Sequence, residues 1–309
     1  MNIMHLLNAM PGAVAQGLIW GIMAIGVYIT FKVLDVADLS VDGTMCTGGA
    51  VCIVLLANGQ PMWVALLAAV GAGMLAGLAT GLFHTVMGIP AILAGILTQL
   101  GLYSVNLKIM GKANVPISSQ KYNLLVSLLN VKGVPFYQNT ILVVTVCLII
   151  LIACLYWFFG TERGCSLRAT GSNPNMSRAQ GINTDLNKVL GLMLSNGIVA
   201  FSSALLAQYQ GFADINMGRG AIVIGLAAVI IGGVVFDKIF RNFALKLTGV
   251  ALGAVIYYVV LQIVIWLGFD TDLLKLLSAL VVAVFLAIPY LKKKYFTKAP
   301  VIRTEKGGN

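Results

Sequence analysis

Charge is the scarcest thing in this sequence. Charged residues make up 10% of the chain and aromatic residues 9%, whereas hydrophobic residues reach 59% and mean hydropathy is +0.95. A soluble core of 309 residues does not need that much apolar surface. Helices that face lipid on one side and each other on the rest do. No polar linker divides the chain, so a pair of soluble domains is excluded. With two histidines in all, one of them His84 at the end of an apolar run, a metal centre has too few ligands. The five cysteines, Cys46, Cys52, Cys147, Cys154 and Cys165, have neither metal-ligand nor disulfide spacing. The first four lie in apolar runs as small packing residues, and Cys165 falls in a polar loop.

Two motifs are also missing. No Gly-x-x-x-x-Gly-Lys-Ser/Thr phosphate loop occurs, and Gly111-Lys112 lacks both the upstream glycine and the following hydroxyl residue. Any ATP hydrolysis therefore belongs to another chain. No nucleophile–base pair stands at helical spacing inside an apolar run, which leaves no basis for reading the chain as an enzyme. Ala13-Val14-Ala15 has the look of a signal-peptidase site, but it precedes the first apolar run instead of following it, so that run is expected to be retained.

Net charge is +10, which raises nucleic-acid binding. The bases are not interleaved with aromatics on one face, however; they cluster between apolar runs and in the tail, as cytoplasmic loops of membrane proteins do. Lys32, Arg163, Arg168, Arg178, Lys188, Lys238, Arg241 and Lys246, with Lys292, Lys293, Lys294, Lys298, Arg303 and Lys306, are expected inside. Lys108, Lys112, Lys121, Lys132, Arg219 and Lys275 are expected outside or near it. Fourteen of the twenty bases thus favour a C-terminus inside and an N-terminus outside.

Apolar runs near 12–33, 40–57, 61–84, 89–110, 140–159, 186–208, 219–236, 246–267 and 272–291 predict an all-α protein of about nine transmembrane helices, at roughly 20 residues per span. The run from 219 is short and glycine-rich, a candidate for a tilted, broken or re-entrant helix. Gly73, Gly77 and Gly81 recur every fourth residue, as do Gly17 and Gly21, and Gly249 and Gly253, which predicts close helix contacts within the chain. Gln99, Asn106, Asn196, Gln208 and Gln262 are expected to hydrogen-bond between helices. Ala37-Asp38-Leu39-Ser40-Val41-Asp42-Gly43 matches Ala213-Asp214-Ile215-Asn216-Met217-Gly218-Arg219-Gly220. The two copies are an odd number of spans apart, which predicts an inverted repeat with its motifs at opposite faces.

The longest polar stretch between runs in the second half is 161–188. Asn173 followed by Pro174 reads as an N-cap and first helical residue, and Gly181 as a terminator, which predicts about two turns of surface helix. A link between two spans needs no such helix; a surface that presses on a partner does. Leu167-Arg168-Ala169, Gly171, Asn173, Ala179 and Gly181-Ile182 resemble the cytosolic coupling loop of ABC importer permeases of the branched-chain amino acid and ribose type. The segment from Asp38 to Gly49, after a span holding Gly17 and Ala24-Ile25-Gly26, looks like that family's opening. The resemblance covers nearly the whole chain in span order and length, and is similar to a branch associated with tryptophan or tyrosine uptake. It departs at Asp38 and Asp42, which are more acidic than the small polar residues of many relatives.

The resemblance implies a single type II importer-like permease domain over 1–309, with repeat halves at 12–110 and 186–291, a coupling loop at 161–188 and a basic cytosolic tail at 292–309. It implies a homodimer or pseudo-dimer in a bacterial inner membrane, two cytosolic ABC ATPases that carry ATP and Mg, and an extracytoplasmic substrate-binding protein. Arg168, Ala169, Gly171, Asn173, Pro174, Arg178, Ala179 and Gly181 would couple to the ATPase. The expected cargo is a small organic solute, with hydrophobic or aromatic amino acids first. Asp38, Asp42, Asp214 and Arg219 are candidates for the translocation pathway, because charges at membrane depth are costly; the alternative is that such residues cap broken helices or remain solvated at the interface. The competing reading is a secondary transporter or channel driven by an ion gradient, with the three aspartates as its ion site.

Overall fold

The computed structural model describes residues 3–118, 122, 124–131, 139–237, 239–240, 242–268 and isolated positions between 276 and 287. Ten helices are described: α1 (Ile3–Tyr28, continued by a π-helical turn Ile29–Val33), α2 (Val41–Ala57), α3 (Met62–Thr85), α4 (Ala91–Met110), α5 (Thr140–Gly160), α6 (Glu162–Ser172), α7 (Pro174–Ala179), α8 (Thr184–Gln210), α9 (Ala221–Phe236) and α10 (Phe243–Trp266). A two-stranded ribbon, β1 (Asn114–Pro116) and β2 (Phe212–Asp214), pairs antiparallel with Asn114 opposite Asp214. The hydropathy pattern gave no sign of it. Only those isolated positions of the expected run over 272–291 are described; the tail at 292–309 and Lys121, Lys132, Lys238, Arg241 and Lys275 lie outside the described residues.

Among the described residues, six helices (α1, α3, α4, α5, α8 and α10) are long and apolar enough to cross a membrane. They divide by burial. α1 and α8 form the centre, whereas α3, α4 and α5 turn large apolar side chains such as Trp63, Leu75, Leu97, Ile150 and Trp157 outward. Outward-facing apolar residues on peripheral helices are what a lipid solvent selects.

α8 is the hub, and its hydroxyls make it so. Ser195 Oγ donates to the Gly26 carbonyl and Ser202 Oγ to the Ile19 carbonyl of α1, each at 2.7 Å, and Ser203 Oγ donates to the Met45 carbonyl of α2. Helices in lipid gain little from burying apolar surface against each other, so such bonds, worth about 0.6 kcal/mol each on average, and close backbone packing hold them together. The glycine stripes supply the second term. A Cβ on Gly73 or Gly77 of α3 would collide with the Asn196 or Leu192 carbonyl of α8, and one on Gly17 of α1 with the Val255 backbone of α10. These stripes are intramolecular seams, as the sequence predicts.

The register of these contacts fixes direction. Gly26, Ile19 and Gly12 of α1 meet Ser195, Ser202 and Tyr209, so α1 runs antiparallel to α8. α2 begins beside Asn196, halfway along α8, and runs with it to the ribbon end, where Cys52 meets Gln208. α9 begins at the same height, beside Asp42, and runs the other way, laying Gly225 on Val27 and Gly232 on Gly249. A full span is expected over 40–57; the 17-residue α2, like the 16-residue α9, covers only one half of the bundle. The repeated motifs enter from opposite ends of the bundle, and their tips meet in the middle instead of resting at opposite faces.

Candidate functional site

Two places gather the candidate residues. The first is the connector between α5 and α8. Thr161 caps α6, its hydroxyl accepting from Gly164 N at 3.3 Å, and Asn173 caps α7, accepting from Met176 N at 3.0 Å with Pro174 at the first helical position. Gly181 closes the segment with φ +78°, a left-handed conformation that suits glycine. The predicted short helix is therefore α7. Sequence reading missed α6, which carries Arg168, Ala169 and Gly171.

The eight expected coupling residues do not share one role. Pro174, Arg178, Ala179 and Gly181 are exposed on or beside α7, as is Met176 at 63%. Arg178 is tied down: its Nε donates to Thr184 Oγ1 at 2.7 Å and its guanidinium pairs with Asp185 at 3.1 Å. Gly171 points inward, where a Cβ would strike the Val33 carbonyl, so it seats α6 against α1. Asn187 of α8 reinforces that seat, donating to Ser166 and Thr170 hydroxyls at 2.7 and 2.8 Å. Arg168 and Ala169 are exposed and line a groove of about 930 Å³ that also carries Lys32, Asp35 and Lys246. The Arg168 guanidinium lies 5.5 Å from the Phe243 ring centroid, a cation–π contact.

The second place is the junction where α2 and α9 meet. Asp42 Oδ2 accepts from Gly220 N and Oδ1 from Ile222 N, both at 3.0 Å. A residue in the first turn of α2 thus caps α9, and one carboxylate faces the positive ends of two helices. Gly218 is required there, since a side chain would overlap the Asp42 carbonyl. Asp42 and Arg219 line one cavity of about 300 Å³ together with Gln99, Tyr103 and Asn106 of α4. The positions 99, 103 and 106 share a helix face. Gln99 and Asn106 were expected to bond between helices; Asn106 Nδ2 reaches the Gly43 carbonyl at 3.3 Å, while Gln99 makes no such bond among the described residues and lines the cavity instead. Arg219 is not at the ribbon end, where its sequence position suggested an outside loop. It sits level with the middle of α4.

The other two aspartates are elsewhere. Asp38 is buried beside the junction. Its Oδ1 accepts from Ser40 N at 2.8 Å and Ser40 Oγ at 2.5 Å, and its Oδ2 accepts from Asn196 Nδ2 at 2.7 Å. Asp214 is part of the ribbon, where it accepts from Asn216 N at 2.7 Å and Asn114 Nδ2 at 3.4 Å. Neither lines the cavity. Sequence reading missed Tyr103, an uncharged aromatic inside an apolar run. Among the described residues no group of His, Cys, Asp or Glu could hold a metal ion.

Comparisons bear on both places. Residues 10–288 match the family described as "Branched-chain amino acid transport system / permease component". A tyrosine transport system permease protein of Clostridioides difficile is 40% identical over 284 residues, covering 91% of each chain. An uncharacterized protein of Rickettsia prowazekii is 34% identical and covers 91% of this chain and 98% of its own. A probable ABC transporter permease protein of Sinorhizobium fredii is 24% identical over 90% of this chain and 86% of its own. Among solved structures, PsaBC of Streptococcus pneumoniae in complex with Fab superposes with a TM-score of 0.54 at 14% identity, over 95% of this chain and 100% of that one.

Proposed function

Because this chain belongs to the branched-chain amino acid transport system / permease component family of ABC-type membrane permeases, we propose that it forms the translocation pathway of an ATP-driven importer for a hydrophobic or aromatic amino acid. Two copies pair around the pathway, separate ATPases press on α7 from the cytosol, and a binding protein delivers cargo at the ribbon end. The observation that carries this reading is α7 itself. A six-residue helix, capped at both ends and pinned to α8 through Arg178, holds Met176 and Ala179 out from the bundle. A rigid short helix on a stiff mount passes a push to the spans on either side; a slack loop would absorb it. The bases Lys32, Arg163, Arg168, Arg178, Lys188 and Lys246 gather at the α7 end, which supports a cytosolic position for it and an outside N-terminus in a bacterial inner membrane.

The gradient-driven reading gains no support from the aspartates. Asp38 is held by Ser40 and Asn196, Asp42 by the α9 terminus, and Asp214 lies on the ribbon, so among the described residues the three do not gather into one ion site. Cargo class rests on the similarity to the Clostridioides difficile tyrosine permease.

The test is co-purification with the ATPase. Met176→Asp and Ala179→Trp, both exposed, should cut ATPase recovery at least tenfold while membrane insertion and monodispersity stay normal. Full ATPase recovery with both variants would remove the coupling role. Gly171→Leu is a contrasting control, expected to reduce folded yield because its site is packed against Val33 and Leu34.

A further inference from the structure

The cavity at the α2–α9 junction carries more than a pathway lining. Three of its polar groups are unspent. Arg219 is exposed at mid-height of the bundle and has no acidic partner within ion-pairing distance among the described residues. Asn106 is fully buried, and its Oδ1 has no hydrogen-bond partner among them either. Gln99 contributes an amide with no partner of its own. A buried acceptor without a donor and an exposed arginine at membrane depth are each costly alone. Both become favourable when a ligand supplies the missing charges. Asp42 adds a carboxylate whose two backbone bonds leave further acceptor sites free. Tyr103, Leu100 and Ile215 supply an aromatic and apolar wall.

We infer that this cavity binds the zwitterionic head of an amino acid with a large apolar or aromatic side chain, holding its carboxylate at Arg219 and its ammonium at Asn106 Oδ1 and Asp42. The volume of about 300 Å³ lies at the small end of the range for ligand sites, roughly 300–1,000 Å³, and suits one amino acid better than a peptide. This rests on the importer reading for its cargo class. It adds that the membrane subunit itself recognises the cargo, whatever the binding protein selects.

The experiment uses the permease–ATPase complex in lipid nanodiscs without its binding protein, with radiolabelled L-tyrosine as probe. Tyramine, which lacks the carboxylate, and 3-(4-hydroxyphenyl)propionate, which lacks the ammonium, serve as competitors. Saturable tyrosine binding is expected, with both competitors at least tenfold weaker. Arg219→Gln should weaken tyrosine about tenfold and erase its advantage over tyramine, leaving tyramine affinity as it was. Asn106→Leu should instead erase the advantage over the propionate. A variant that merely loosened the fold would lower all three ligands together, and that result overturns the assignment. ATP-driven tyrosine uptake with the binding protein added is measured on the same preparation. Uptake without saturable binding overturns the cavity alone. Charge-selective binding without uptake upholds the cavity and overturns the importer reading, and absence of both overturns both.

Discussion

Asp38 and Asp214 occupy equivalent places in the repeated motif yet live in different solvents. Asp38 has exchanged water for Ser40 and for the amide of Asn196 on α8, 158 residues away in sequence. Charge-assisted bonds of this kind are stronger than neutral ones, and removing one side strands the other. Asp38→Leu leaves the Asn196 amide and the Ser40 donors without their acceptor, at a cost of about 1–3 kcal/mol for each group that stays unsatisfied. Thermal unfolding of the detergent-solubilised protein should show a clear loss of stability. Asp214→Asn, at the half-exposed ribbon, should stay within about 0.5 kcal/mol of the parent. Equal losses would mean that Asp38 is less embedded than its contacts indicate. Sequence reading could name both aspartates but could not separate them, because what separates them is one amide brought in by tertiary packing. Of the four pathway candidates named by the same charge criterion, Asp42 and Arg219 line the cavity. Tyr103 escaped, since an aromatic in an apolar run looks the same whether it faces lipid, core or a ligand.

Helix boundaries were legible wherever hydropathy or capping set them. α3, α5 and α8 follow the apolar runs to within a few residues, and α7 follows the Asn173-Pro174 and Gly181 signals. α6 was not legible. Its sequence contains Gly164, Gly171 and Thr170, poor helix formers, and it is held by the buried Leu167, by the Thr161 cap and by Asn187 reaching across from α8. Tertiary contacts overrode propensity there. α7 sits at the opposite extreme, too short to persist without its cap. Asn173→Ala removes that cap, worth about 1 kcal/mol, and should raise hydrogen exchange at the amides of 176–180 while those of α8 stay protected. The exposed Arg178–Asp185 pair contributes less, about 0.2–1 kcal/mol, and Asp185→Asn should change exchange in α7 only slightly. If Asn173→Ala left exchange unaltered, the pin to α8 and not the cap would be what keeps α7 helical.

At the scale of the whole molecule, the arrangement is two short helices meeting tip to tip between long ones. α2 and α9 each cross half of the bundle, and their N-termini share the carboxylate of Asp42. Broken helices of this kind bring backbone N–H groups and positive helix ends to the middle of a membrane, where an unbroken helix would present only side chains. That geometry fits a junction that opens onto water. Arg219 supports this: an exposed guanidinium level with the middle of α4 is tolerable beside an aqueous path and costs about 2.5–3.5 kcal/mol at a lipid-facing helix centre. In a chain whose five cysteines have been replaced, Arg219→Cys should react quickly with a membrane-impermeant methanethiosulfonate reagent. Leu97→Cys and Ile150→Cys, exposed on the outer faces of α4 and α5, should react slowly because lipid covers them. On the proposed importer reading, addition of ATP and the binding protein should change the Arg219→Cys rate, since a path that alternates between its two ends would not present its middle equally in both states. An unreactive Arg219→Cys, matched to the two lipid-facing controls in every condition, would place the junction against lipid or a tightly packed second copy and close it as a route for cargo.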